Sequence, residues 1–77
     1  MEQDIKKATE EHLPAGYDWR LYWAQLKKES YFDPMAVSPV GARGVAQFMP
    51  ATWAEWGAGD PHNAQASIDA GARYMAW

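Results

Sequence analysis

The sequence predicts an all-α chain, and three observations predict it. Apolar residues recur at helical spacing in several windows. Proline, glycine and capping residues fall between those windows, where helices start and stop. No run alternates apolar and polar residues with the β-branched content of a strand.

A first helix is expected over residues 2–12, charged and weakly amphipathic through Ile5, Ala8 and His12. Pro14 and Gly16 end it. Asp18 then offers a side-chain acceptor to the open N–H groups of a second helix, which runs to about Ser30. Trp19, Tyr22, Trp23 and Leu26 stand at i, i+3, i+4 and i+7 and define one buried stripe. Residues 31–44 read as a loop, because Asp33-Pro34, Ser38-Pro39, Gly41 and Gly44 all disfavour helix. A short helical turn is expected at Val45–Met49. Pro50 suits the first position of the next helix, which reaches Trp56 and stops at Gly57. After the Asp60-Pro61 turn, Asn63 caps a last helix. That helix carries Ala64, Ile68, Gly71 or Ala72, and Met75 on one face. It meets no stop signal before Trp77, so the domain is expected to be truncated on its C-terminal side. Residues 1–16 are set apart as an N-terminal helix and turn, and residues 17–77 as a partial domain.

Bulk properties narrow the function. A chain of 77 residues is one domain at most and buries a small core. It has no Cys, so neither a disulfide nor a thiolate metal site holds it together. The formal net charge of -3 argues against nucleic acid as a partner. The N-terminus has no apolar signal segment, and no stretch is long enough to span a membrane. Five Trp exceed what so small a core needs, and aromatic faces also stack on sugar rings. Trp19, Trp23 and Trp53 are expected in the core, while Trp56 is either core or sugar-facing. His12 and His62 lack a third ligand at metal spacing and read as surface or cap residues. Neither a P-loop ending nor a nucleophile elbow is present.

Glu29 lies three positions after Leu26 and seven after Tyr22, at the edge of the apolar stripe. It is also in the last helical turn, where the dipole disfavours a negative charge. Partial burial there would favour the protonated acid, the form that donates to a glycosidic oxygen. Periodicity alone leaves a second reading, an ordinary Glu paired with Lys27 or Lys28, and by itself favours that one.

The surrounding words shift the balance. Glu29-Ser30 is followed by Ser38-Pro39-Val40-Gly41-Ala42-Arg43-Gly44, then Val45-Ala46-Gln47 and Met49-Pro50-Ala51-Thr52. Later come Asp60-Pro61 and Gly71-Ala72-Arg73-Tyr74-Met75. This run resembles the soluble lytic transglycosylase family, relatives of goose-type lysozyme, over roughly Tyr17 to Trp77. The resemblance implies a lysozyme-like helical domain acting on bacterial peptidoglycan glycan strands. It implies cleavage of the β-1,4 bond between N-acetylmuramic acid and N-acetylglucosamine. One Glu acts first as acid and then as base, the 6-hydroxyl displaces the linkage, and a 1,6-anhydro product forms. No metal or organic cofactor is implied.

Carried over by position, Glu29 is the catalytic acid/base. Ser38, Gln47 and Met49 are the substrate-binding residues. Ser38 would bond near Glu29 or the acetamido group, Gln47 would hydrogen-bond in the groove, and Met49 would give apolar contact. Their plainer roles are a turn-capping Ser, a surface Gln and a core Met. Gly41 and Gly44 are expected as backbone-permissive positions.

Val45-Ala46 replaces the family's commoner Leu-Met pair. The family's later helix, whose Tyr points at the catalytic Glu, would lie beyond Trp77; without it Glu29 is more solvated. The start near Met1 with no export signal suggests a bacteriophage protein reaching the periplasm or wall as a virion component. Virion proteins or the rest of its own domain would be its partners. The alternative function is a non-catalytic peptidoglycan-binding or virion structural module.

Overall fold

The structure is a computed structural model describing residues 1–77. Four helices follow in order: α1 (Glu2–His12), α2 (Trp19–Ser30), α3 (Pro50–Trp56) and α4 (Ala64–Ala76). Extended pairing is confined to isolated bridges of Val37 with Arg43 and of Arg43 with Phe48. The all-α expectation holds, and side-chain caps explain the starts of α2 and α4. Asp18 accepts the Arg20 N–H at 3.0 Å, and Asn63 accepts the Ala66 N–H at 3.0 Å. No helix is long and apolar enough to cross a membrane.

α4 is the hub. α1 packs on α4 and α2, and α3 packs on α4. Its buried residues are Ser67, Ile68, Ala70, Gly71 and Ala72, a wider band than the single stripe expected. The reason is that α4 is covered on two sides. Ile68 and Ala72 join Ile5, Ala8, Tyr22, Leu26 and Val45 in one cluster, while Ala70 joins Phe48 and Trp53 in another. Full burial of side chains such as Ile5, Leu26 and Ile68 contributes about 1.5–3 kcal/mol each. Small residues on α4 let its neighbours approach. A Cβ on Gly71 would lie 2.3 Å from the Tyr22 hydroxyl oxygen, so the tyrosine occupies the space a side chain would need. That hydroxyl donates to the Ile68 carbonyl at 2.6 Å.

α1 shares this core through Ile5 and Ala8. It is also tied to α4 by His12, whose Nε2 lies 2.6 Å from Asp69 Oδ1. The surface or cap role expected for His12 is therefore corrected: it is a half-buried partner of Asp69, reached over a sequence separation of 57. His62 keeps a turn role, with Nδ1 2.9 Å from the Pro34 carbonyl.

Two local expectations also change. Val45–Met49 is not a helical turn. Gly44–Gln47 form a tight turn instead, closed by Gln47 N–H to Gly44 carbonyl at 3.2 Å, with Phe48 bonded back to Arg43. Gln47 has φ 55, which no helix continues. Gly57 stops α3 with φ -91 rather than a left-handed cap. Glycine is required there for space, since a Cβ would lie 2.1 Å from the Trp53 ring. Trp53 is core as expected, with its ring N–H donating to the Gly59 carbonyl at 2.9 Å.

Candidate active site

The last turn of α2 delivers Glu29, and the chain then reverses sharply. Tyr31 and Phe32 both take left-handed backbone, with φ 56 and 62. Asp33 Oδ1 accepts the Met35 N–H at 2.9 Å and fixes the following turn. Ser30 Oγ donates to the Val45 carbonyl at 2.7 Å, drawing the Gly44–Gln47 turn against the end of α2. Gly41 and Gly44 have φ 93 and 80, the permissive positions the sequence marked.

Gln47 follows at the end of that turn. Its Nε2 donates to the Gly44 carbonyl at 2.9 Å and to the Ala36 carbonyl at 3.3 Å. Both amide hydrogens are thus engaged within the chain, and Oε1 is left as a free acceptor. Phe48 then buries against Trp53, ring centroids 5.3 Å apart, which leaves Met49 exposed at the N-cap of α3.

These elements enclose a cavity of about 290 Å³ between α2, the turn, α3 and α4. Glu29, Gln47 and Met49 line it together, with Tyr22, Thr52 and Tyr74 among the other walls. Ser38 does not line it. Its Oγ accepts the Ala42 N–H at 3.0 Å, and its carbonyl accepts the Gly41 N–H at 2.9 Å, so it caps its own turn. Gln25 and Thr52 also line the cavity and were missed. Helical spacing could have found them, one turn before Glu29 and one turn after Met49. Tyr74 had no such signal, because α4 reaches the cavity only through the fold.

Glu29 is the only carboxylate on the cavity wall. Its side chain is exposed, and the partial burial expected from the apolar stripe is not found. The stripe faces α1 and α4 through Tyr22 and Leu26, and Glu29 sits past its edge. The alternative ion pair with a neighbouring lysine is not found either. Lys27 lies over the Trp23 and Tyr31 rings, 5.4 Å from each centroid. The Glu29 carboxylate makes neither a hydrogen bond nor a salt bridge within the chain, so it is free to meet a ligand. Burial, aided by the charge of Asp69, pushes the Tyr22 phenol well above its ordinary range and keeps it a proton donor to Ile68.

A second, more open concavity shares Thr52 and Tyr74 with the first and adds Glu55, Trp56 and Trp77. Trp56 packs edge-on against Tyr74 and Trp77, at centroid distances of 5.5 and 5.7 Å. Elsewhere, Glu11, His12 and Asp69 bring one potential metal donor each within 4.8 Å of the others. None of these three lines the Glu29 cavity, and Arg73 already bonds Asp69 Oδ2 at 3.0 Å.

The cavity wall thus combines one carboxylate with the Ala46–Met49 segment and the Pro-started helix α3. Comparison with known proteins gives the family. The family model described as the transglycosylase SLT domain matches residues 6–77. This chain belongs to the transglycosylase SLT domain family. Its lysozyme-like, all-α architecture is that of an SLT domain. Among curated relatives, a membrane-bound lytic murein transglycosylase F of Desulfosudis oleivorans is 38% identical over 72 residues, covering 94% of this chain and 15% of the relative. The protein of the same name in Alcanivorax borkumensis is 38% identical over 73 residues, covering 95% of this chain and 15% of its own length. A Salmonella typhi relative, likewise named, is 43% identical over 58 residues, covering 75% of this chain and 12% of its own. The SLT domain described here thus spans at most about one-seventh of these relatives' length.

Proposed function

We propose that this SLT domain cleaves the β-1,4 bond between N-acetylmuramic acid and N-acetylglucosamine in peptidoglycan, with Glu29 as its single acid/base. One observation carries the reading: Glu29 is an unpaired carboxylate, and the only one, on a cavity that Gln47 and Met49 also line. Two-carboxylate glycosidases need a second acid across the bond, as nucleophile or base. This cavity offers one, which suits a substrate that supplies its own nucleophile.

The chemistry then balances without water. Protonated Glu29 gives its proton to the glycosidic oxygen as the bond from that oxygen to the muramic C1 breaks. The resulting carboxylate takes the proton from the muramic 6-hydroxyl as O6 bonds to C1. The products are a shortened glycan and a 1,6-anhydro end, and Glu29 is protonated again. Gln47 Oε1 serves as acceptor for a substrate N–H or O–H, and Met49 gives apolar contact to a ring face. Ser38 supports the loop through its turn hydrogen bonds.

A second reading is favoured by one observation, the exposure of Glu29. An exposed carboxylate with no partner can also hold a sugar hydroxyl by hydrogen bonding alone, and the chain would then bind glycan without cutting it. Mass spectrometry of purified peptidoglycan treated with the native chain and with Glu29→Gln separates the two. The catalytic reading expects 1,6-anhydro muropeptides from the native chain alone. Glycan binding by both proteins with no product from either would leave the binding module.

A further inference from the structure

The turn that presents Gln47 is held by a residue that does not itself line the cavity. Ser67, in the second turn of α4, is fully buried, 0% exposed. Its Oγ accepts the Ala46 N–H at 3.0 Å, over a separation of 21 residues. A hydroxyl is a weak choice for a helix interior, and a buried one is expected to have a partner that justifies it. Here the partner is the residue immediately before Gln47.

Two further facts converge on that spot. Gln47 holds φ 55, a region unfavourable for a residue with a Cβ, and such backbone persists only where the surroundings over-determine it. Gly44, at the start of the same turn, is pressed onto the entry to α4. A Cβ there would lie 2.1 Å from the Pro61 carbonyl oxygen and 3.3 Å from Ser67 Oγ. The turn is thus seated on α4 by close backbone approach at one end and by the Ser67 bond at the other. Ser30 holds its middle from α2.

We propose that Ser67 is a positioning residue: its hydroxyl fixes the Gly44–Gln47 turn so that Gln47 presents its free Oε1 to the cavity. Ser67 touches no ligand and acts through Gln47. The affinity consequence rests on the cavity being a glycan site; the geometric claim does not.

The test uses the full chain, isotope-labelled for NMR, with Ser67→Thr and Ser67→Val. Thr adds one methyl and keeps the hydroxyl; Val has the same shape but carries a second methyl in the hydroxyl's place. Thr is expected to keep the Gln47 side-chain amide resonances and the slow exchange of the Ala46 amide. Val is expected to shift the former, to speed the latter about tenfold, and to weaken chitohexaose binding about fivefold, the size of one ordinary hydrogen bond. In a Gln47→Ala background the Thr and Val forms should bind chitohexaose equally. Thr and Val forms alike in the Gln47 resonances would overturn the proposal. A persistent affinity difference without Gln47 would overturn the route through that side chain. If no form binds chitohexaose while the Gln47 resonances still follow the hydroxyl, the glycan reading fails and the positioning role stands.

Discussion

Two acids on opposite sides of the hub helix show how differently this small domain uses charge. Asp69 is engaged by His12 at 2.6 Å and by Arg73 at 3.0 Å, and the group fastens α1 to α4. Glu29 has no partner and stands on a cavity wall. A satisfied carboxylate at a helix seam is structural glue, and an unsatisfied one in a concavity is available for chemistry. The contrast extends to the backbone. The α1–α4 seam is regular helix over an apolar core, whereas the cavity side relies on left-handed residues, on a hydrogen bond donated by Ser30 and on one accepted by Ser67.

The largest effect should come from removing the free acid. Glu29→Gln is expected to reduce anhydromuropeptide release by about 10²–10⁴-fold, the usual contribution of a general acid or base. Its thermal stability should stay within about 0.5 kcal/mol of native, since no contact is lost. A large fall in stability would mean Glu29 is structural after all.

Gly71→Ala strikes the point where the two regions meet. The added methyl collides with the Tyr22 hydroxyl, which must move or give up its bond to Ile68. We expect a loss of about 1–3 kcal/mol by thermal or denaturant unfolding, as for other overpacked cores. Tyr22→Phe, which removes only the hydroxyl, should cost about 1 kcal/mol. If the double variant is less stable than Gly71→Ala alone by that full amount, the collision is not with the hydroxyl.

Asp69→Asn should have the smallest effect and a pH signature. Burial pushes the Asp69 carboxyl up, but hydrogen bonds from His12 and Arg73 together with their charges outweigh it and hold it below the ordinary carboxylate range. A depressed carboxyl contributes stability that is present above its unfolded value, about pH 4, and is lost as pH falls through the folded value. The difference between native and Asp69→Asn should be under about 1 kcal/mol at neutral pH, given the partly exposed pair. It should shrink towards zero on acidification below about pH 4. A difference that grows in acid would contradict the assignment.

Much of this organisation was legible in the sequence. The caps at Asp18 and Asn63, the proline opening α3 and the buried pair Tyr22 and Leu26 follow from local stereochemistry and a helical period. The grouping of Glu29, Gln47 and Met49 was legible through resemblance, since periodicity alone favoured a surface Glu paired with lysine. Other features were out of reach. Val45–Met49 looked helical because nothing in its letters shows that Gln47 takes a left-handed backbone. That conformation depends on Ser30 and Ser67, which bond to the turn from two different helices. Ser67 itself sits off the expected stripe, visible only once α4 is known to be covered on two sides.

The sequence by itself determined the four helices and their ends, because caps, breakers and apolar spacing act over a few residues. Only the tertiary structure decided that His12 finds Asp69, that Ser67 braces the Gln47 turn, that Ser38 bonds within its own turn and does not line the cavity, and that Glu29 stays exposed and unpaired. Each of those outcomes depends on which surfaces α4 brings together. A hydrogen bond between distant residues leaves no period in the chain, and burial is a property of neighbours that the sequence does not name.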